Sequence, residues 1–185
     1  TFSTFSYFLK NIAIGPLIAA QQLLTLSSPL KLKTPVSSLG SIGALIHIRT
    51  LVFISSESGS TTNFHASIDR LSAYAASKAA LNHGLRHFSA ELHRKSLVEG
   101  TKSPIILAIH PGGIRVEKAC DSNLGWESDG KATPREVTKS MLKIIIEKGC
   151  GGMDEGGWMT AEKEGSRIES GEATFWTWDG KRYPW

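Results

Sequence analysis

The sequence predicts an α/β fold in which parallel strands are joined by helical crossovers. Three observations predict it. Helix-like and strand-like segments alternate along the chain, in the order helix, strand, helix, strand, helix, strand. Two of the strand segments are continuously apolar, the pattern of a strand covered on both faces. Each of them runs straight into a polar or glycine-rich turn, Ser55-Ser56-Glu57-Ser58-Gly59 after the first and Pro111-Gly112-Gly113 after the second. The chain shows no internal repeat.

The first element is a helix over 7–26. Leu9, Ile12, Leu17, Leu23 and Leu24 supply its apolar faces, and Gly15-Pro16 predicts a kink inside it. Residues 27–49 are rich in Ser, Pro and Gly and read as a loop or insertion. The run TLVFIS over 50–55 is β-branched and aromatic, so it reads as a strand buried on both faces. A polar loop follows to about residue 71. The strongest helix covers 73–97, where Leu81, Leu85, Phe88 and Leu92 step along one face and Ala75, Ala76, Ala79 and Ala80 leave one end slim. Pro104 to His110 reads as the second buried strand. A further helix starts at a capping box formed by Thr133 and Glu136, with Pro134 in its first position. Val137, Met141, Ile144 and Ile145 form its stripe, and Gly149 ends it. Residues 150–170 read as a loop and 173–178 as a last, aromatic strand.

The composition narrows the class. The 185 residues are 41% hydrophobic and 21% charged, enough for one core-forming domain and unlike a disordered chain. No apolar run approaches the roughly 18 residues that span a bilayer. Lys10 and Asn11 break the apolar start where a secretory leader is greasiest, so no leader is expected. A first residue other than Met suggests that the start was lost or trimmed. The formal charge is +4 with basic residues scattered, which argues against a nucleic-acid groove. Cys120 and Cys150 lack metal-ligand spacing and read as reduced thiols in a cytoplasmic protein. His83 and His87 lie four apart on the strongest helix, as some metal pairs do, but no third ligand is suggested nearby, and no metal is expected.

Chemistry concentrates at the ends of the two apolar strands. In Tyr74-Ala-Ala-Ser-Lys78 the phenol and the amine are four apart and share a helical face. A free phenol titrates near ~10 and is a poor acid or base at neutral pH. A nearby ammonium favours the phenolate, so such a pair is a plausible proton donor and acceptor. A solvated helix face is the plainer reading of the pair taken alone. Ser56 lies beyond the end of a strand, where open parallel sheets bind ligands, and its hydroxyl can donate to a substrate oxygen; a serine turn is the alternative. His110-Pro111-Gly112-Gly113 lets backbone approach a flat ring, or makes a sharp turn.

These residues together resemble the short-chain dehydrogenase/reductase family. FLKNIAIGPL looks like its asparagine-bearing helix, LVFISSESGS like its serine strand and loop, YAASKAALN like its tyrosine-lysine helix, and AIHPGGIRV like the turn beside the nicotinamide. The long Ser56-to-Tyr74 spacing and the ending WDGKRYPW are similar to the small carbonyl reductases of the C-factor and sniffer branch. The resemblance implies a partial Rossmann-type, doubly wound parallel sheet of about three strands, forming a single incomplete domain over 1–185. It implies hydride transfer between NADP or NAD and a small carbonyl or alcohol substrate. Catalytic roles then fall to Asn11, Ser56, Tyr74 and Lys78, and cofactor contacts to Tyr74, Lys78, Pro111, Gly112, Gly113 and Ile114. A homodimer through the helices of Asn11 and Tyr74 is also implied, and neither nucleic acid nor a membrane is an expected partner.

Three departures stand beside the resemblance. The family's glycine-rich opening units are missing, and Gly40-Ser-Ile-Gly43 is a poor substitute because it follows no recognisable strand. Residues 27–49 are longer than the usual link. Val116 stands where the family has a threonine, and Arg115 beside it is a candidate to compensate. The chain therefore reads as a fragment or truncated copy whose residues 50–55 offer an unpaired strand edge. A noncatalytic homologue serving as a dimerisation module is the alternative, with Leu81, Leu85, Phe88 and Leu92 facing either a partner or the core. A third reading makes Phe175, Trp176, Trp178, Tyr183 and Trp185 an aromatic ligand platform.

Overall fold

Three parallel strands in the order β1-β2-β3 form the sheet: β1 is Thr50–Ile54, β2 is Ile105–His110 and β3 is Thr174–Thr177. Val52 pairs with Leu107 and Leu107 with Thr174, both in parallel register, as the alternation of elements predicts. The computed structural model describes residues 1–27, 48–64, 72–113, 132–149 and 171–185. Most of the expected loop over 27–49, all of that over 150–170 and most of 113–132, and with them Gly40, Gly43, Ile114, Arg115, Val116, Cys120 and Cys150, lie outside the described residues.

Helices cover both faces of the sheet. Successive β2 residues alternate between them. Ile106 and Ala108 join Phe53, Leu81, Leu85, Phe88 and Phe175 on one side, and Leu107 and Ile109 join Ile144 and Trp176 on the other. This is why β2 reads as a continuous apolar run. The first face carries α3, Ser72–Glu99, and α2, Gly15–Ser27, while α1, Phe2–Phe8, packs on α3. The second carries α4, Pro134–Lys148. Gly84 sits mid-helix because α3 meets α2 there: an added Cβ would lie 2.7 Å from a Leu17 methyl. Leu81, Leu85 and Phe88 are buried in this core, so they serve the sheet rather than a partner.

Four expectations need correction. β1 is not covered on both faces, since Thr50 to Val52 are half-buried and Ile54 is 50% exposed. The reason is its place at the edge of the described sheet. The N-terminal helix does not simply kink at Gly15-Pro16. It widens one turn earlier into a π-helical segment, Leu9–Ile14, closed by Gly15 N–H donating to the Lys10 carbonyl. Pro16 has no N–H for the Ile12 carbonyl and its ring crowds that group, so the ladder shifts upstream. Leu23, assigned to an apolar face, is 47% exposed. The aromatic ending is not a ligand platform: Phe175 is fully buried, stacks on Trp185 at 5.4 Å and meets Tyr183 edge-on at 5.3 Å.

Candidate active site

β1 ends at Ile54, and its rim is fastened to α3. Ser55 Oγ donates to Asn82 Oδ1 at 2.5 Å, and Asn82 Nδ2 donates to the Gly59 carbonyl at 3.2 Å. Both ends of the Ser55–Gly59 loop thereby hang on one buried amide. Gly59 closes the contact: a Cβ there would lie 2.6 Å from the Lys78 carbonyl carbon and 2.7 Å from Lys78 Cβ. Only a residue without a side chain lets this loop lie against the Lys78 turn.

Ser56 is buried and caps the short 3-10 turn Glu57–Gly59. Its Oγ accepts from Ser58 N–H at 3.3 Å and lies 2.8 Å from Ser58 Oγ. The serine turn is therefore real, and the hydroxyl hydrogen is the part of it with chemistry to offer.

Tyr74 stands half-buried in the first turn of α3, edge-on to Phe8 at 6.1 Å. Lys78, one turn on, is buried, and its Nζ donates to the Ile54 carbonyl at 2.7 Å while lying 5.7 Å from the Tyr74 ring centroid. Burial holds the Lys78 ammonium below its ordinary range. Asn11 lies within the π-helical segment, exposed, its Nδ2 donating to the Tyr7 carbonyl at 2.8 Å. That segment packs against α3.

His110 ends β2 beside the same rim. Its Nε2 is 3.6 Å from Glu57 Oε1, while Nδ1 is buried without a hydrogen-bond partner among the described residues. Burial lowers the imidazole's pKa, Glu57 opposes this and the Lys78 charge adds to it, so desolvation outweighs the carboxylate. Beyond it Gly112 takes φ +76°, and the space for its Cβ is filled by the Trp178 indole at 2.5 Å. The backbone N–H of Trp178 donates to the His110 carbonyl at 2.8 Å. The ring packed against this glycine is the protein's own Trp178 indole.

Ser56, Tyr74 and Lys78 are thus carried by elements that touch. Pro111, Gly112 and Gly113 follow the adjacent strand, and Asn11 lies on a segment packed on α3. Sequence reasoning missed Gly59, Asn82, Glu57 and the chemistry of His110. Asn82, one turn past Lys78 in YAASKAALN, carried a signal, as a polar residue on the face that buries Lys78.

No protein-family model matches the chain. An uncharacterized oxidoreductase of Schizosaccharomyces pombe is 38% identical over 107 residues, which are 52% of this chain and 39% of that protein. A carbonyl reductase from chicken fatty liver, solved with NADPH bound, superposes with TM-score 0.60 at 21% identity, covering 100% of this chain and 58% of its own. The carbonyl reductase Sniffer of D. melanogaster superposes with TM-score 0.61 at 18% identity and the same coverage. The chain therefore spans little more than half the length of these solved neighbours. Over that span it shares the α/β fold of these two carbonyl reductases, the fold class that the sequence led one to expect.

Proposed function

We propose that the chain is the catalytic portion of an NAD(P)-dependent oxidoreductase that interconverts a carbonyl and an alcohol on a small molecule, with Tyr74 as proton donor and acceptor. One observation carries the reading. A buried ammonium, Lys78, reaches from the Tyr74 helix to the last carbonyl of the strand that leads to Ser56. Likeness to an NADPH-bound carbonyl reductase and to an oxidoreductase supports it.

The residues present suit the nicotinamide end of a dinucleotide. An ammonium has three N–H donors, and Lys78 gives one to Ile54, so ribose hydroxyls can accept from the others. Pro111, Gly112 and Gly113 would offer backbone beside the ring, with Ile114 following. The dinucleotide, when bound, supplies or accepts the hydride. Tyr74 gives its hydroxyl proton to the carbonyl oxygen, or takes it from the alcohol in the reverse direction. Ser56 O–H donates to the same oxygen and fixes its position. Asn11, its amide nitrogen turned to Tyr7, uses its oxygen to hold a water between Lys78 and solvent.

The test titrates NADPH and NADH into the longest chain the coding sequence supplies and assays a panel of small aldehydes and ketones. Tyr74→Phe is expected to lower turnover at least about 100-fold while cofactor uptake and circular dichroism stay unchanged. Unchanged turnover in that variant overturns the assigned role.

One observation favours the second reading, a noncatalytic homologue acting as an association module. Phe2, Tyr7, Ile14 and Ile18 are 50–90% exposed along the N-terminal helices. Sedimentation showing a dimer, together with no dinucleotide uptake, would favour that reading over the enzyme.

A further inference from the structure

Farther along α3 stands a pair of side chains that the proposed chemistry leaves unused. His83 and His87 are both exposed and one turn apart. Their Nε2 atoms are 3.1 Å from each other, with ring centroids 4.6 Å apart and planes crossing at 69°. The helix beneath them is held rigid by the buried Leu81, Asn82, Leu85 and Phe88. Arg86, between them in sequence, is drawn to Glu172 at 2.8 Å.

Two converging imidazole nitrogens can share one proton, which uses one lone pair, or one cation, which uses both. With metal–nitrogen bonds of about 2.05 Å, their separation closes a nitrogen–metal–nitrogen angle of roughly 98°. That lies between the right angle of a tetragonal ion and the tetrahedral angle. No cluster of three or more His, Cys, Asp or Glu suited to a metal occurs among the described residues, so within them the pair supplies two protein ligands. Tetragonal copper(II) accepts two imidazoles with water in its other positions, and it heads the divalent affinity order for nitrogen ligands.

We propose that His83 and His87 chelate one divalent transition-metal ion through their Nε2 atoms, copper(II) most tightly. The site is separate from the Tyr74 rim, nine residues or roughly 13 Å up the helix axis. The ion would brace α3 and touch none of the catalytic groups.

Copper(II) chloride, titrated into the full chain in a non-coordinating buffer, tests this by calorimetry and by the nitrogen splitting of the copper resonance. The expected result is one tightly held ion per chain, carrying two imidazole nitrogens. His83→Gln and His87→Gln should each weaken it at least roughly tenfold, since the second imidazole is supplied intramolecularly. Copper should also raise the melting temperature of the parent chain and leave that of His83→Gln unmoved. Both positions are exposed, so the variants should fold, and circular dichroism checks this. Tight binding unchanged by both substitutions, one nitrogen in place of two, or two independent single-histidine ions would each overturn the proposal.

Discussion

Gly59 shows how much of the site rests on one absent side chain. The atoms that a Cβ would strike are Lys78 backbone and Cβ, and these cannot swing aside. Gly59→Ala is therefore expected to destabilise the fold by about 1–3 kcal/mol, read from a denaturant midpoint, and to loosen Lys78 as well. Asn82→Ala removes partners from Ser55 Oγ and the buried end of the loop, at a cost of roughly 1–3 kcal/mol in the same measurement. His110 gives the pH dependence. Its folded pKa is depressed below 6.5 by burial, so the unfolded chain takes up the proton first as pH falls. Its contribution is fully present above about 6.5 and is lost as pH falls through the lower folded value. Glu57 and Lys78 are the charged groups that face it. His110→Gln should flatten the loss of stability below pH 6.5, and an unchanged acid limb would contradict this. The four-residue spacing of Tyr74 and Lys78 and the place of Ser56 beyond an apolar strand were legible in the sequence. Gly59 was not, since its meaning depends on a contact with a residue 19 positions on.

At the scale of elements, the best-read helix is α4, because its start is written in four neighbouring residues. Thr133 Oγ1 accepts from Glu136 N–H at 3.3 Å and Thr133 N–H donates to the Glu136 carboxylate at 2.8 Å, with Pro134 in the first position. Thr133→Ala is expected to cost about 1 kcal/mol in thermal or denaturant melts. The N-terminal helix was half legible. Gly15-Pro16 announced a break, but where the ladder would reform depends on backbone packing against α3, which no local pattern records. Asn11 is exposed within that widened turn, and its amide donates back to the Tyr7 carbonyl in α1.

Across the whole molecule, the two sides of the sheet are finished differently. The outer side of β3 is covered: Trp176 bridges Arg182 in antiparallel fashion, and Tyr183 N–H donates to the Phe175 carbonyl at 2.8 Å. β1 pairs only with β2 in the described sheet and carries a half-exposed Ile54. An apolar edge strand is a template for another chain. The chain is expected to self-associate at micromolar concentration, and Ile54→Lys should reduce light scattering with little change in melting temperature. The parallel sheet was legible from alternating segments. The unpaired edge of β1 was among the expectations; the exposure of its faces was not, because a continuous apolar run looks the same whether or not a helix covers it. No helix among the described residues is long and apolar enough to cross a membrane.

The indole of Trp178, lodged where Gly112 has no side chain, also gives the protein an optical gauge of its own. Reduced nicotinamide absorbs where indoles emit. A ring arriving at that turn would dim this fluorophore before others more distant from it, and the difference between the parent chain and Trp178→Phe would isolate its signal. Occupancy could thus be followed by light alone, with no label attached and no turnover required.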